Sequence, residues 1–224
     1  MKHILLSRSI IHRDYMVENL KEYLHVGDKV VVLLYSFFEQ FMPNESQYKT
    51  YYQVNGEYDL KVRKIFEPYG IKDIHYIEYY DYNHNNKKKL ISQANVLYFP
   101  GGAPDDMMKR LSEHGLIDSL KTFKGVTIGS SAGAMIHFKR YHIYKDKEYN
   151  RFSFKEGLGY LDNFDIVVHY NRKIQQKKAI RRVFKTYKIP IYVIPDDGAM
   201  IIDNSEIKLI KSAKLLVDKK GKRQ

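Results

Sequence analysis

A short stretch of small residues around Ser131 has the pattern of a serine nucleophile. Segment 129–134 reads Gly-Ser-Ser-Ala-Gly-Ala and follows the strand-like run 125–128. It matches G-x-S-x-G, in which the central serine projects from a sharp turn between a strand and a helix. Small neighbours avoid collisions there, and the backbone N–H of Ala132 is left free to stabilise an oxyanion. The pattern therefore predicts Ser131 as a nucleophile, with a plain tight turn as the alternative.

A nucleophilic serine also needs a general base, and the chain offers nine histidines. His137 and His142 follow Ser131 too closely to fold back over it easily. His169 ends the alternating run 164–168, so we expect it at the carboxyl end of a strand, where ligands bind in parallel α/β sheets. His169 is the best placed base, and a structural histidine is the alternative.

Length and composition favour one cytoplasmic domain. The chain has 224 residues, of which 44% are hydrophobic, enough for one α/β domain with a substantial core. We assign residues 1–218 to that domain and 219–224 to a basic tail. The absence of cysteine excludes disulfides and thiolate chemistry and fits a reducing compartment. No apolar run approaches a membrane span or a signal peptide, so we expect no membrane partner.

The formal net charge of +12 makes a nucleic-acid partner a hypothesis to weigh. The basic residues are spread out, with local runs only at 87–89, 172–182 and 219–223. We therefore favour solvated faces and a basic tail over nucleic-acid binding. Because the histidines lack the paired i, i+4 spacing with an acid, and because no phosphate-loop motif occurs, we predict no metal and no cofactor.

Strand-like and helix-like segments alternate along most of the chain. Segment 29–35 (KVVVLLY) is apolar on both faces, as a central parallel strand should be. The alternation predicts an α/β fold with a doubly wound, mostly parallel sheet and helices on both faces. In the last third, segments 192–194, 199–203 and 207–217 are strand-like, and we expect them as antiparallel additions to one sheet edge.

An ordered set of motifs resembles the dipeptidase E and cyanophycinase family of serine peptidases. The motifs run from Tyr98 to about Asp203: YFPGG at 98–102, MKRL at 108–111, EHGL at 113–116, GSSAGA at 129–134, GLG at 157–159, His169-Tyr170, and DDGA at 196–199. The resemblance implies a class I glutamine amidotransferase-like fold. It also implies Ser131 as nucleophile, His169 as catalytic histidine, and Gly101 and Gly102 sharing an oxyanion hole with Ala132.

This sequence departs from the family pattern after the glycine pair. The family usually has Asn and Thr there, whereas this chain has Ala103 and Pro104, which replace a polar substrate contact with a rigid turn or helix start.

The acid of the triad is less well defined by the sequence. The resemblance places it a dozen or more residues after the serine, which makes Asp146 the first choice and Glu148 the second. Asp165 and Asp197 are further alternatives, and a solvated hairpin tip is the alternative role for Asp146.

Arg172 is the candidate substrate-binding residue. The resemblance places basic residues near the substrate at this position, and a guanidinium can bind a carboxylate through two hydrogen bonds. The alternative is that Arg172 starts a helix with a solvated basic face. We thus expect a serine peptidase acting on short peptides, with a preference for acidic residues as one hypothesis. A catalytically inactive binding or regulatory homologue is the alternative, and a homodimer is left open.

Overall fold

The protein is described by a computed structural model that covers residues 1–222. Residues 223–224, the end of the predicted basic tail, lie outside the described part. Twelve strands occur in it: β1 (Lys2–Leu6), β2 (Val30–Leu34), β3 (Ile74–Glu78), β4 (Val96–Phe99), β5 (Val126–Ser130), β6 (Arg140–Ile143), β7 (Ser153–Glu156), β8 (Asp165–Val168), β9 (Ile191–Ile194), β10 (Ala199–Asp203), β11 (Glu206–Ile210) and β12 (Lys214–Val217).

Eight α-helices connect these strands within residues 1–222. They are α1 (Asp14–Leu20), α2 (Glu45–Tyr51), α3 (Glu57–Phe66), α4 (His84–Gln93), α5 (Pro104–Glu113), α6 (Ile117–Thr122), α7 (Ala132–Met135) and α8 (Ile174–Tyr187). A 3₁₀ turn, Glu67–Tyr69, follows α3.

The central sheet has seven strands in the order β11-β10-β1-β5-β4-β2-β3. The five strands from β1 to β3 along this order are mutually parallel, and β10 and β11 add antiparallel strands at one edge. Successive side chains of a strand point to opposite faces. Val30 and Val32 of β2 accordingly pack into one core, while Val31 and Leu33 pack into another.

Helices cover both faces of this sheet, as predicted. Buried residues of α1, α2 and α3 belong to the core on one face, and those of α4, α5 and α6 belong to the core on the other. The doubly wound α/β prediction is therefore confirmed.

The last third of the chain differs in part from the prediction. The segment 207–217, predicted as one strand, is two strands, β11 and β12, and Lys211 between them has a left-handed backbone with φ 56°. Only β10 and β11 join the edge of the central sheet. Strands β9 and β12 instead form a three-stranded sheet with β8, in the order β12-β9-β8.

The three-stranded sheet sets the positions of the two loops that follow β8 and β9. Strands β8 and β9 are parallel, and Val168 lies opposite Ile194. The residues that follow these two strands therefore emerge side by side, beside the carboxyl ends of β1 and β5. No helix within residues 1–222 is long and apolar enough to cross a membrane.

Candidate active site

Ser131 lies at the sharp turn between β5 and α7. Its backbone has φ 52° and ψ −111°, a conformation that an L-residue adopts at a cost. The backbone N–H of Ser131 donates to the carbonyl of Leu6 at the end of β1, at 2.8 Å. This contact holds the strained turn against the neighbouring strand. A serine in this geometry exposes its hydroxyl beyond the sheet, as a nucleophile elbow requires.

The small residue at position 133 is needed for close packing behind the serine. A Cβ atom added to Gly133 would lie 1.9 Å from the carbonyl oxygen of Phe99, at the end of β4. The backbone of α7 can therefore approach β4 only if position 133 carries no side chain.

The glycine turn after β4 lies directly beside the serine. A Cβ added to Gly101 would lie 3.3 Å from the Cβ of Ser131. Gly102 has φ 143°, and a Cβ added to it would lie only 1.8 Å from the carbonyl oxygen of Ser36. Ser36 anchors this turn, because its carbonyl accepts from Ala103 N at 2.5 Å and its hydroxyl donates to the Gly101 carbonyl at 2.7 Å.

Three backbone N–H groups near the serine are free to bind an anion. Within residues 1–222, the N–H groups of Gly101, Gly102 and Ala132 have no hydrogen-bond acceptor. This leaves donors on the two turns that flank Ser131, as stabilisation of an oxyanion would need.

His169 directly follows β8, at the strand end that the sequence predicts. Its Nε2 lies 2.9 Å from the Oγ of Ser131. The backbone at His169 is left-handed, with φ 52°. Its N–H donates to the hydroxyl of Ser7 at 2.8 Å, and its carbonyl accepts from the amide of Gln176 at 2.9 Å. Ser7 and Gln176 are buried, so both fix the loop that carries the imidazole.

Asp196 is the carboxylate that contacts the histidine. Its Oδ1 lies 2.6 Å from His169 Nδ1, and its Oδ2 accepts from Arg8 Nε at 2.7 Å. Because Ile194 lies opposite Val168, Asp196 emerges from β9 next to His169. Burial raises the pKa of Asp196, but hydrogen bonds from His169 and Arg8 and their charges outweigh it and hold that pKa below its usual value. The carboxylate is therefore ionised at neutral pH.

The prediction of Asp146 as the partner of His169 is corrected by this geometry. The Asp146 carboxylate accepts the backbone N–H groups of Glu148 and Tyr149, at 3.0 and 2.8 Å. It caps a turn of the β6–β7 hairpin, the role given above as the alternative. Short polar side chains do this readily, because a turn leaves backbone donors within their reach.

The other carboxylates considered from the sequence are also engaged elsewhere. Asp165 lies at the opposite end of β8 and pairs with the buried His142 at 2.9 Å. Glu148 pairs with Lys147 at 3.1 Å, and Asp197 accepts from the hydroxyl of Ser212. Sequence reasoning considered the neighbour of Asp196 but not Asp196 itself. Asp196 follows a strand end just as His169 does, but the adjacent Asp197 shares this signal, which therefore does not single out Asp196.

The residues around Ser131 and His169 enclose a cleft of about 390 Å³. It is lined by Arg8, Phe38, Gly102, Pro104, Ser131, Met135, Ile143, Tyr144, Asp146, Lys147, Glu148, Tyr149, Val168 and His169. This volume lies at the small end of the range for ligand pockets.

Arg172 does not line this cleft. It has a left-handed backbone with φ 66° and lies in a separate groove with Tyr170, Asn171 and Lys214. The groove that holds Arg172 is therefore distinct from the cleft beside Ser131, and the substrate contact of Arg172 stays a prediction. Arg8, which the sequence gave no reason to single out, is the arginine that reaches the cleft.

The remaining histidines near the serine have structural contacts. His137 Nδ1 donates to the carbonyl of Gly133 at 2.6 Å, and its Nε2 is hydrogen-bonded to Thr127 Oγ1 at 2.9 Å. Burial lowers the pKa of His137 to about 3, so it stays neutral. Across residues 1–222 there is no cluster of three His, Asp or Glu side chains that could hold a metal ion.

Ser131, His169 and Asp196 are thus joined by hydrogen bonds at one edge of the α/β sheet. The profile of peptidase family S51 matches residues 40–210, more than half of the chain, and the chain belongs to this family. Ser7 and Arg8 lie before the matched region.

Solved structures show the same fold. A protein provisionally named peptidase E from Listeria monocytogenes EGD-e is 17% identical with a TM-score of 0.64, over 94% of this chain and 98% of that one. A peptidase from an acI-B1 actinobacterium is 15% identical with a TM-score of 0.63, over 97% of this chain and 94% of that one. No curated protein matches the sequence.

Proposed function

We propose that the protein is a serine peptidase that hydrolyses short peptides. The observation that carries this proposal is the unbroken series Ser131 Oγ–His169 Nε2 at 2.9 Å and His169 Nδ1–Asp196 Oδ1 at 2.6 Å. Membership of peptidase family S51 supports the reaction class. Asp196, rather than Asp146, is the acid in this proposal.

In this proposal each residue has one chemical task. Ser131 Oγ attacks the scissile carbonyl carbon while His169 Nε2 takes the hydroxyl proton. The N–H groups of Ala132 and of the Gly101–Gly102 turn bind the oxygen that becomes negative. His169 then gives the proton to the leaving amine. In the second half of the reaction His169 takes a proton from a water molecule, which attacks the carbonyl carbon of the acyl-enzyme. His169 then returns the proton to Ser131 Oγ, and the carboxylic acid is released.

Asp196 keeps the histidine in the reactive tautomer. A carboxylate accepting from Nδ1–H leaves Nε2 unprotonated and pointed at Ser131, and its charge stabilises the imidazolium that forms. Arg8 binds the second carboxylate oxygen and so fixes the carboxylate plane.

The size of the cleft supports short substrates. A volume of about 390 Å³ closed on one side by the hairpin residues 144–149 leaves space for few residues. The acidic preference raised from Arg172 is not part of this proposal, because Arg172 lies in a different groove.

The test is labelling by a fluorophosphonate together with dipeptide hydrolysis. Ser131→Ala should abolish both, whereas Ser130→Ala should keep most of both, because Ser130 is buried and its hydroxyl lies 3.3 Å from that of Ser9. A wild-type protein that takes no label and turns over no dipeptide would instead identify the inactive homologue considered above.

A further inference from the structure

We propose that the cleft beside Ser131 binds an apolar side chain, that of the residue whose carbonyl the serine attacks. This inference rests on the proposed function and names the substrate class: short peptides with a leucine-, methionine- or phenylalanine-like residue on the acyl side. It departs from the acidic preference considered from the sequence.

Part of the cleft lining is apolar. Ile143, at the end of β6, and Val168, at the end of β8, are buried and line the cleft together with Ser131 and His169. Pro104, at the start of α5, and Met135, at the end of α7, also line the cleft. Burial of an apolar substrate side chain against these groups is favourable, whereas a charged side chain would lose its hydration without gaining a hydrogen bond or ion pair from them.

Two aromatic residues that line the cleft lie close together. Phe38, in the loop after β2, and Tyr149, before β7, have ring centroids 6.2 Å apart. The hydroxyl of Tyr149 donates to Asp105 Oδ1 at 2.6 Å, so this polar atom is already engaged. The Tyr149 hydroxyl is therefore not free to bind a polar substrate side chain.

The charged groups that line the cleft already have partners. Arg8 is paired with Asp196 at 2.7 Å and Lys147 with Glu148 at 3.1 Å. The Asp146 carboxylate accepts two backbone N–H groups. Among the described lining residues, every cation is thus neutralised by a neighbouring carboxylate, and a substrate carboxylate would have to compete for it.

The position of the cleft determines which substrate residue enters it. The attacked carbonyl carbon must lie between Ser131 Oγ and the N–H groups of Gly102 and Ala132. Gly102, Ser131 and His169 all border the cleft, so the α-carbon next to that carbonyl sits at its mouth. The side chain on this α-carbon is the nearest group that can fill it.

The experiment measures dissociation constants of α-aminoboronic acids, whose boron bonds to an active serine, by calorimetry on the full chain. We use the analogues of leucine, alanine and aspartate. The leucine analogue should bind at least about tenfold more tightly than the alanine analogue, since three further carbons are buried, and the aspartate analogue should bind most weakly. A matching series of dipeptides, Leu-Ala, Ala-Ala and Asp-Ala, should give the same order in kcat/KM.

Phe38→Ala tests the subsite directly. It should reduce the preference for leucine over alanine by about threefold or more. Phe38→Leu should keep most of the preference. Phe41→Ala is the matched control, because it removes the same ring from an exposed position of the same loop that does not line the cleft.

Each outcome decides between the two proposals. An aspartate analogue that binds as tightly as the leucine analogue overturns the apolar subsite and leaves the serine peptidase intact. A protein whose Ser131 takes the fluorophosphonate label but binds none of the three analogues also overturns the subsite alone. Absence of both label and binding overturns the proposed function, and the subsite falls with it.

Discussion

Replacing Asp196 with asparagine isolates the charge of the carboxylate from its shape. The amide fills the same space, but its NH₂ can donate to His169 Nδ1, which leaves the proton on Nε2, where Ser131 needs an acceptor. In the wild type the two groups are 2.6 Å apart, and in the proposed mechanism the carboxylate holds the productive tautomer.

The size of the loss follows from how exposed the pair is. The Asp196 side chain is 48% exposed, so water screens part of its attraction to the imidazolium. For charge centres about 4 Å apart, that attraction is worth about 1 kcal/mol in water and about 4 kcal/mol at the effective dielectric of a protein surface. These limits correspond to a fall in kcat of about 5-fold to 10³-fold, less than the roughly 10⁴-fold cost at a buried triad aspartate.

The assay is steady-state hydrolysis of a dipeptide by wild type and Asp196→Asn, with circular dichroism to check folding. KM should change little, because Asp196 does not line the cleft. Asp197→Asn and Asp146→Asn are the controls, since the first removes the adjacent carboxylate and the second removes the one that caps the hairpin turn. If Asp146→Asn slows turnover as much as Asp196→Asn, or if Asp196→Asn is as active as wild type, the assigned acid is wrong.

Three further perturbations test other parts of the structure. Gly102→Ala places a Cβ 1.8 Å from the Ser36 carbonyl oxygen and should lower kcat by about 10²- to 10³-fold by displacing the oxyanion donors. Gly159→Ala, with φ 78° and no atom within 4 Å of the added Cβ, should leave kcat unchanged. Burial raises the pKa of Asp59, but hydrogen bonds from Tyr76, Asn55 and Arg63 outweigh burial, and the net pKa is lower than usual. The stabilisation that the carboxylate contributes is therefore present above the unfolded-state pKa and disappears as pH falls through the lower folded-state pKa. Asp59→Asn should therefore lower the free energy of unfolding in urea by about 2–3 kcal/mol at pH 7 and by clearly less at pH 3, and an equal loss at both would contradict the linkage. Burial lowers the pKa of Lys87 from 10.5 to about 8, so the unfolded chain binds more protons than the folded chain between these two pH values. The wild type should therefore gain stability relative to Lys87→Met as pH rises through this window. A difference in urea midpoints that stays constant with pH would refute this prediction.

The sequence predicts the nucleophile and the base through local patterns. Ser131 is surrounded by small residues that the elbow requires, and His169 ends an apolar strand, so both positions can be predicted from neighbouring residues. The structure places these two side chains within hydrogen-bond distance.

The acid could not be selected in the same way, because it depends on how two strands align. Asp196 reaches His169 only because β9 runs parallel to β8 with Ile194 opposite Val168. The sequence predicted these strands as parts of one edge, and no local feature separates Asp196 from Asp197. The contributions of Ser7 and Gln176 are likewise long-range hydrogen bonds that no local pattern reveals.

The place of β1 in the sheet governs when the protein can become active during synthesis. This first strand pairs with β5 on one side and with β10 on the other, and Ser7, just beyond its end, bonds to Ile194, 187 residues later. A strand with such distant partners cannot complete its pairing until nearly the whole chain has left the ribosome. Asp196 is also made late, after Ser131 and His169. Unfinished chains therefore lack both the support of the site and the carboxylate that contacts His169, so the proposed hydrolysis requires the completed fold.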